Sequence, residues 1–313
     1  MDKHSPRVFS RREILALGAG IGAAAALPFT PSFAAAGPVA ARPIPRTGEP
    51  LPVVGLGTAI VFDIGEDAAR RAERRAVIQA LVEGGGRLID TAPSYGTAED
   101  VVGGLLSAMG ARDKVFLATK VRATGHDESI AEMQRSLSRL RTGKVDLMQL
   151  HNVGDAATDL RALKEWQQKG FARYIGITHF QAGAYGRLEQ VIRREKPEFV
   201  QLNYSLAERS AEERLLPLAA DTGTAVLVNL PFGRGRLFSA VRGRPLPEWA
   251  KEFDAASWAQ FFLKYLLGNE AVTCVIPGTD KPEYMADNLA AGRGRLPGPA
   301  MRKRMVEFWR SLG

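Results

Sequence analysis

Three apolar stretches of the chain each end in a side chain that can carry a charge or transfer a proton. Asp90, Lys120 and His151 close these stretches, and Tyr95 follows Asp90 by five residues. If the stretches are parallel strands, their carboxyl ends share one face of the fold and bring the four side chains together. A charged group at the end of a buried strand needs a partner, and Asp90 and Lys120 can serve each other. A buried ion pair and a core histidine without any catalytic role would give the same pattern.

Together, the four residue types provide the groups that the reduction of a carbonyl requires. Hydride delivery to a carbonyl carbon leaves an alkoxide that must be protonated. A tyrosine hydroxyl has an ordinary pKa of about 10, but a neighbouring lysine ammonium stabilises the tyrosinate and so assists proton transfer. The aspartate would keep the lysine charged, and the histidine would hydrogen-bond the carbonyl oxygen. A second possibility is a Schiff base on Lys120, which requires an uncharged lysine.

The apolar stretches belong to a regular alternation of strand and helix patterns. Runs rich in β-branched and aliphatic residues predict eight strands. These runs cover residues 53–59, 87–92, 115–121, 145–152, 173–179, 199–205, 225–231 and 271–277. Amphipathic segments predict eight helices that follow them. The segments cover residues 68–83, 98–109, 129–141, 160–169, 183–194, 211–221, 256–267 and 283–291.

This order predicts an α/β protein in which one domain, residues 37–313, forms a (β/α)8 TIM barrel. The first strand is not followed by the Gly-x-Gly-x-x-Gly turn of a doubly wound nucleotide-binding sheet. Residues 44–52 predict a short N-terminal hairpin that would cover the bottom of the barrel, and residues 300–312 predict a C-terminal helix. The long connection 233–255 is a candidate binding loop.

Three segments resemble the motifs of the aldo-keto reductase superfamily. They are residues 88–96 (LIDTAPSYG), 117–121 (LATKV) and 146–151 (DLMQLH), and the resemblance extends over residues 44–289. It implies that Asp90, Tyr95, Lys120 and His151 are catalytic. It further implies an NAD(P)H-dependent oxidoreductase that reduces an aldehyde or ketone to an alcohol, with Tyr95 as general acid and a small carbonyl compound as substrate.

The same resemblance implies an NADPH site, with NADH as the alternative cofactor. Gln201 matches the glutamine that binds the nicotinamide amide, whereas His179 stands where the family usually has Asn, and Asn229 stands where an aromatic residue often stacks. Gly278 and Tyr284 replace a Lys and an Arg that commonly hold the 2′-phosphate. The implied cofactor-binding residues are Thr178, His179, Gln201, Asn229, Leu230, Phe232, Gly233, Arg234, Gly278, Thr279, Lys281, Asp287 and Asn288.

The first 36 residues predict a bacterial twin-arginine signal peptide. Arg11 and Arg12 precede the weakly hydrophobic run 14–27, which is shorter than the roughly 20 residues that span a bilayer. We expect recognition by the twin-arginine export machinery and cleavage after Ala34 or Ala36. The mature protein would then be periplasmic or otherwise exported, without a stable membrane anchor.

Composition narrows the classes of protein to which the chain could belong. The formal net charge is +8, but the basic residues are scattered among acidic neighbours, which disfavours a nucleic-acid-binding surface. The single cysteine, Cys274, excludes an internal disulfide and a cysteine-based metal site, and we expect no bound metal. An exported nucleotide-binding sensor or partner subunit on the same barrel, with little turnover, is the alternative to an enzyme.

Overall fold

A computed structural model describes residues 37–122, 125–153 and 156–312. The predicted signal peptide, residues 1–36, lies outside the described residues. The described chain opens with an antiparallel hairpin of β1 (Ala41–Pro43) and β2 (Pro50–Pro52). Its apolar residues Ile44 and Leu51 are buried in the same cluster as Leu88 and Phe116, which lie inside the barrel. The hairpin therefore covers the bottom of the barrel, as the sequence predicts.

Eight parallel strands follow in the described part of the chain. They are β3 (Leu56–Gly57), β4 (Leu88–Asp90), β5 (Phe116–Val121), β6 (Val145–His151), β7 (Ala172–His179), β8 (Phe199–Asn203), β9 (Ala225–Asn229) and β10 (Val272–Val275). Each strand pairs with its sequence neighbours. Parallel bridges from Val54 to Val275 and from Gly57 to Gly278 join the two ends of the sheet. The predicted barrel is therefore present and closed.

Helices cover the outside of this barrel. They are α1 (Ala68–Glu83), α2 (Ala98–Met109), α3 (His126–Arg139), α4 (Ala156–Gln168), α5 (Tyr185–Glu195), α6 (Leu215–Thr222), α7 (Arg236–Ala240), α8 (Trp258–Leu267), α9 (Pro282–Ala290) and α10 (Pro299–Arg310). The first two match the predicted bounds, and each has a local signal at one of its ends. Asp67 caps the start of α1, and Gly110 ends α2 in the left-handed conformation.

Several elements differ in their bounds from the sequence prediction: β3 covers only Leu56–Gly57 of the predicted run 53–59, and α4 begins at Ala156 rather than at residue 160. Helix α6 begins at Leu215 rather than at residue 211, because Pro217 lacks an N–H and is tolerated only in the first turn of a helix. The connection 233–255, which the sequence predicts to be a binding loop, contains α7 and two short 3₁₀ segments, Gly233–Gly235 and Glu248–Phe253.

Strand alternation brings the chemically active side chains to the inside of the barrel. On β5, Phe116 and Ala118 lie in the interior cluster, whereas Leu117 and Val121 pack in the cluster between the sheet and the helices. Because side chains alternate along a strand, Lys120 continues the interior row at the carboxyl end. The same alternation on β6 continues from Leu147 through residues 149 and 151.

Membrane and metal features are lacking in the part of the chain that the structure describes. None of its helices is long and apolar enough to cross a bilayer. No group of three or more His, Cys, Asp or Glu side chains there is placed to hold a metal ion. Cys274 is buried in the barrel interior, and burial raises the pKa of its thiol, so this cysteine is not a poised nucleophile.

Candidate active site

A buried ion pair forms the floor of the site at the carboxyl end of the barrel. Lys120 Nζ donates to Asp90 Oδ2 at 2.6 Å and to the carbonyl oxygen of Thr91 at 2.8 Å. The Lys120 and Asp90 side chains are 0% and 3% exposed, respectively. Lys120 thus has fixed acceptors at the carboxyl end of β4, the neighbouring strand, and its ammonium group cannot move freely toward solvent.

The second oxygen of the Asp90 carboxylate is held by two glutamines. Gln149 Nε2 donates to Asp90 Oδ1 at 3.0 Å, and Gln201 Nε2 donates to the same atom at 2.8 Å. Gln201 Nε2 also lies 3.3 Å from Gln149 Oε1. Sequence reasoning missed Gln149, although a glutamine two residues before His151 in an apolar strand was a visible signal.

Tyr95 and His151 complete the group above this floor. Lys120 Nζ lies 4.8 Å from the centroid of the Tyr95 ring. The His151 ring stands edge-on to Tyr95, with their centroids 5.9 Å apart, and Ser94 Oγ is 3.4 Å from His151 Nδ1. Both Tyr95 and His151 are half-buried, so they lie between the buried ion pair and the open end of the barrel. The structure therefore brings all four predicted catalytic residues together.

Lys120 and His151 differ in charge at neutral pH, because their surroundings shift their pKa values in opposite directions. Burial alone would lower the pKa of Lys120, but the Asp90 charge and the Tyr95 hydroxyl outweigh it and raise that pKa above its ordinary value. Burial, together with the charges of Lys120 and Arg122, lowers the pKa of His151 to about 3. At neutral pH the lysine is therefore charged and the histidine is neutral, able to donate or accept a hydrogen bond.

The loop that carries Tyr95 is fixed by a neighbouring loop. Asp63 Oδ1 accepts from the backbone N and from Oγ1 of Thr97, both at 2.9 Å. Gly96 lies against this carboxylate with φ +59°, and an added Cβ there would come within 2.3 Å of it. Asp63, Gly96 and Thr97 were missed from the sequence because their role depends on contact between two loops.

Residues expected to hold the nicotinamide lie around Gln201. Thr178 Oγ1 and Asn229 Nδ2 donate to Gln201 Oε1 at 3.4 and 3.3 Å. Gln201 therefore uses both amide hydrogens and its carbonyl oxygen within the protein. His179 lies apart from this group: its Nδ1 accepts from the backbone N of Gln181 at 3.1 Å, and its ring stacks on Phe180.

The residues after β9 form a tight turn beside the segment that follows β7. Leu230, Gly233 and Arg234 all have positive φ, of 50°, 56° and 56°. The Arg234 guanidinium lies 5.6 Å from the Phe180 ring centroid beyond β7, and Phe232 packs on Phe238. This compact turn places the Arg234 guanidinium beside the strand ends, where it can contact a phosphate.

The segment after β10 holds the remaining predicted residues. Gly278 bridges to Gly57, Thr279 is buried, and Lys281 precedes α9 with its Nζ 5.3 Å from the Tyr284 ring. Two further residues, Asp287 and Asn288, lie on α9. Asp287 accepts from Ser257 Oγ and Gln260 Nε2, both at 2.7 Å, and Asn288 is buried. Asp287 thus joins α9 to α8.

This arrangement is suited to donating a proton inside a partly closed site. A hydroxyl lies next to a buried ammonium whose charge a carboxylate maintains, and a neutral imidazole stands edge-on to the ring of the same tyrosine. Negative charge on the tyrosine oxygen is therefore stabilised by the neighbouring ammonium group.

Comparison with known proteins agrees with this geometry. A model described as "Aldo/keto reductase family" matches residues 53–302. A methylglyoxal reductase of Escherichia coli (strain K12) is 32% identical over 232 residues, which are 72% of this chain and 80% of the relative. An aldo-keto reductase of Mycobacterium avium (strain 104) is 28% identical over 247 residues, 76% of this chain and 80% of the relative. The structure of an aldo-keto reductase from Klebsiella pneumoniae in complex with NADPH is similar with a TM-score of 0.72 at 26% identity, covering 84% of this chain and 92% of that chain. The chain therefore belongs to the aldo/keto reductase family.

Proposed function

We propose that this oxidoreductase uses NADPH to reduce a small aldehyde or ketone to the corresponding alcohol, with Tyr95 as the general acid. The observation that carries the proposal is the buried Lys120, held 2.6 Å from Asp90 and 4.8 Å from the Tyr95 ring centroid. A charged lysine in that place has a clear chemical use, because it stabilises the tyrosinate that remains after proton donation.

Each of the four residues has a separate part in this reaction. When bound, the reduced nicotinamide supplies a hydride. The Tyr95 hydroxyl gives its proton to the substrate oxygen, so that an O–H bond forms on the product and the O–H bond of the tyrosine breaks. Lys120 stabilises the resulting tyrosinate, Asp90 holds Lys120, and the neutral His151 hydrogen-bonds the substrate oxygen.

The residues present fit a nicotinamide dinucleotide. Among the residues that the structure describes, the buried Oδ1 of Asn229 has no hydrogen-bond partner, and an unpaired buried acceptor suits a carboxamide N–H. The two contacts to Gln201 Oε1 are long, at 3.3 and 3.4 Å, so a ligand donor can replace one of them. Arg234, Thr279 and Lys281 would meet the phosphates. NADPH is supported by its presence in the Klebsiella pneumoniae relative, and NADH is the alternative.

The Schiff-base alternative is disfavoured by the surroundings of Lys120. A nucleophilic amine must be uncharged, whereas Asp90 and Tyr95 raise the pKa of this lysine and keep it protonated. Borohydride in the presence of substrate would trap a Schiff base covalently. We expect no such adduct.

The test combines nucleotide binding with turnover. The mature protein is titrated with NADPH and NADH by fluorescence, and reduction is then measured with an aldehyde panel that includes methylglyoxal, on which the Escherichia coli relative acts. Tyr95→Phe should bind NADPH like the wild type but lose turnover about 10²-fold or more, the usual contribution of a general acid. Binding without turnover in the wild type would instead favour the sensor or partner subunit, and lack of binding would refute the oxidoreductase.

We also propose that the protein is exported by the twin-arginine route, on the basis of Arg11, Arg12 and the apolar run that follows them. In a bacterial host with that machinery, the full chain should appear processed in the periplasmic fraction. Changing both arginines to lysine should leave it unprocessed in the cytoplasm. Equal processing of the two forms would contradict the proposal.

A further inference from the structure

Gln149 is a fully buried amide in the interior of the barrel. It lies on β6 two residues before His151 and is 0% exposed. A buried amide destabilises a protein unless its hydrogen bonds are made. Gln149 makes them with the site itself, through Nε2 to Asp90 Oδ1 at 3.0 Å and through Oε1 from Gln201 Nε2 at 3.3 Å.

The two oxygens of the Asp90 carboxylate accept hydrogen bonds from different kinds of donor. Oδ2 accepts from Lys120, and Oδ1 accepts from Gln149 and Gln201. Donors on both oxygens fix the rotation of the carboxylate as well as its position. Lys120 contacts Tyr95 on the other side, so the direction of the carboxylate determines where the ammonium lies relative to the tyrosine.

We propose that Gln149 is a positioning residue that holds the Asp90 carboxylate, and through it Lys120, in the orientation that lets Tyr95 donate its proton. The inference rests on the proposed function. It assigns to Gln149 an effect on the proton-transfer step rather than on nucleotide binding. Gln149 lies below the strand ends, and among the described residues its hydrogen bond to the predicted nucleotide site is the one to Gln201.

The titratable groups around Gln149 come from four strands and one loop. Asp90 on β4 accepts from Gln149, Lys120 on β5 is the register partner of Gln149, and His151 lies two residues farther along β6. Cys274 on β10 interacts with Asp90, and Tyr95 in the loop after β4 contacts Lys120. A carboxyl group introduced by Gln149→Glu would face the Asp90 carboxylate. When protonated it keeps an O–H that can donate to Asp90, and when ionised it repels Asp90 and competes for Lys120. The Gln149→Glu variant should therefore be active at low pH and lose activity as the pH rises.

The experiment compares three variants with the wild type. Gln149→Met removes the hydrogen bonds at similar volume, Gln149→Glu makes them depend on pH, and Met148→Leu is the matched control. Met148 is the adjacent buried residue of β6, and it packs in the cluster between the sheet and the helices. For each protein, kcat at saturating NADPH is measured from about pH 5 to 9, together with the Kd for NADPH by fluorescence.

We expect Gln149→Met to lower kcat about tenfold, as the loss of a hydrogen bond to a charged group would, with little change in Kd. Gln149→Glu should approach the wild-type rate at the acidic end and fall about tenfold below it at the basic end. Met148→Leu should keep the wild-type profile. The recovery of Gln149→Glu at acidic pH is the most informative result, because it would not occur if Gln149 only stabilised the fold.

The inference is overturned if Gln149→Met keeps the wild-type kcat and pH profile. It is also overturned if the Gln149→Glu profile runs parallel to the wild type at every pH, and this measurement decides the matter if Gln149→Met fails to fold. An inactive wild type would refute the proposed function, and with it this inference. If the wild type is active and all three variants share its pH profile, the inference about Gln149 is refuted and the proposed function stands.

Discussion

Replacing Asp90 by Asn should reveal how strongly the buried ion pair constrains this protein. The change keeps the shape of the side chain but removes the charge that faces Lys120 at 2.6 Å. Because Lys120 is 0% exposed, its ammonium cannot recover that interaction from water. Removing one partner of a buried pair typically lowers the free energy of unfolding by about 3–5 kcal/mol, and we expect a loss of that size at pH 7.

The loss should depend on pH, in a direction that follows from the pKa of Lys120. In the wild type this pKa is raised, so the stabilisation is fully present below the unfolded-state pKa of about 10.4 and is lost only above it. In Asp90→Asn, burial without the carboxylate lowers the pKa of Lys120. The unfolded state then binds more protons than the folded state, and stability rises with pH. The difference between the two proteins should therefore shrink from pH 7 toward pH 10.

Urea unfolding of both proteins at several pH values measures this difference. The matched control is Glu252→Gln, which breaks the half-exposed pair with Arg304 and should change the unfolding free energy by about 1 kcal/mol or less. Two results would refute the reasoning: a loss in Asp90→Asn no larger than in the control, or a loss that stays constant with pH.

Two further predictions concern the residues above the ion pair. The pKa of His151 is lowered to about 3, so its imidazole NMR signals should remain those of the neutral ring from about pH 5 to 8, and a midpoint near the ordinary value of about 6.5 would contradict the burial argument. Gly96→Ala should lower the unfolding free energy by about 1–2 kcal/mol because of its left-handed backbone, and should also lower kcat because its Cβ displaces Asp63. The control is Gly186→Ala, whose Cβ meets no atom within 4 Å. Because Gly186 lies in α5, this change should leave kcat nearly unchanged and raise the unfolding free energy by up to about 1 kcal/mol. Equal effects in the two variants would show that the Asp63 contact does not hold the Tyr95 loop.

The order of strands and helices could be predicted from the sequence because its causes are local. A buried parallel strand needs a short apolar run, and a covering helix needs one apolar face. Ends with a local signal were predicted well, such as Asp67 before α1 and Gly110 after α2. The start of α6 was predicted wrongly because periodicity continues through residues 211–214, and the restriction that Pro217 imposes was not weighed.

By itself, the sequence determined which residue types stand at the strand ends, and hence that Asp90, Lys120 and His151 would share the carboxyl face of a barrel. Tertiary structure alone decided what these side chains touch. The meeting of Gln149 and Gln201 on one oxygen of Asp90, and the contact of Asp63 with the loop of Tyr95, join residues 34 to 111 positions apart. Such contacts depend on the register of neighbouring strands and on the curvature that closes the barrel. No local sequence pattern predicts these contacts, because each residue is compatible with its own strand or loop whether or not its partner is present.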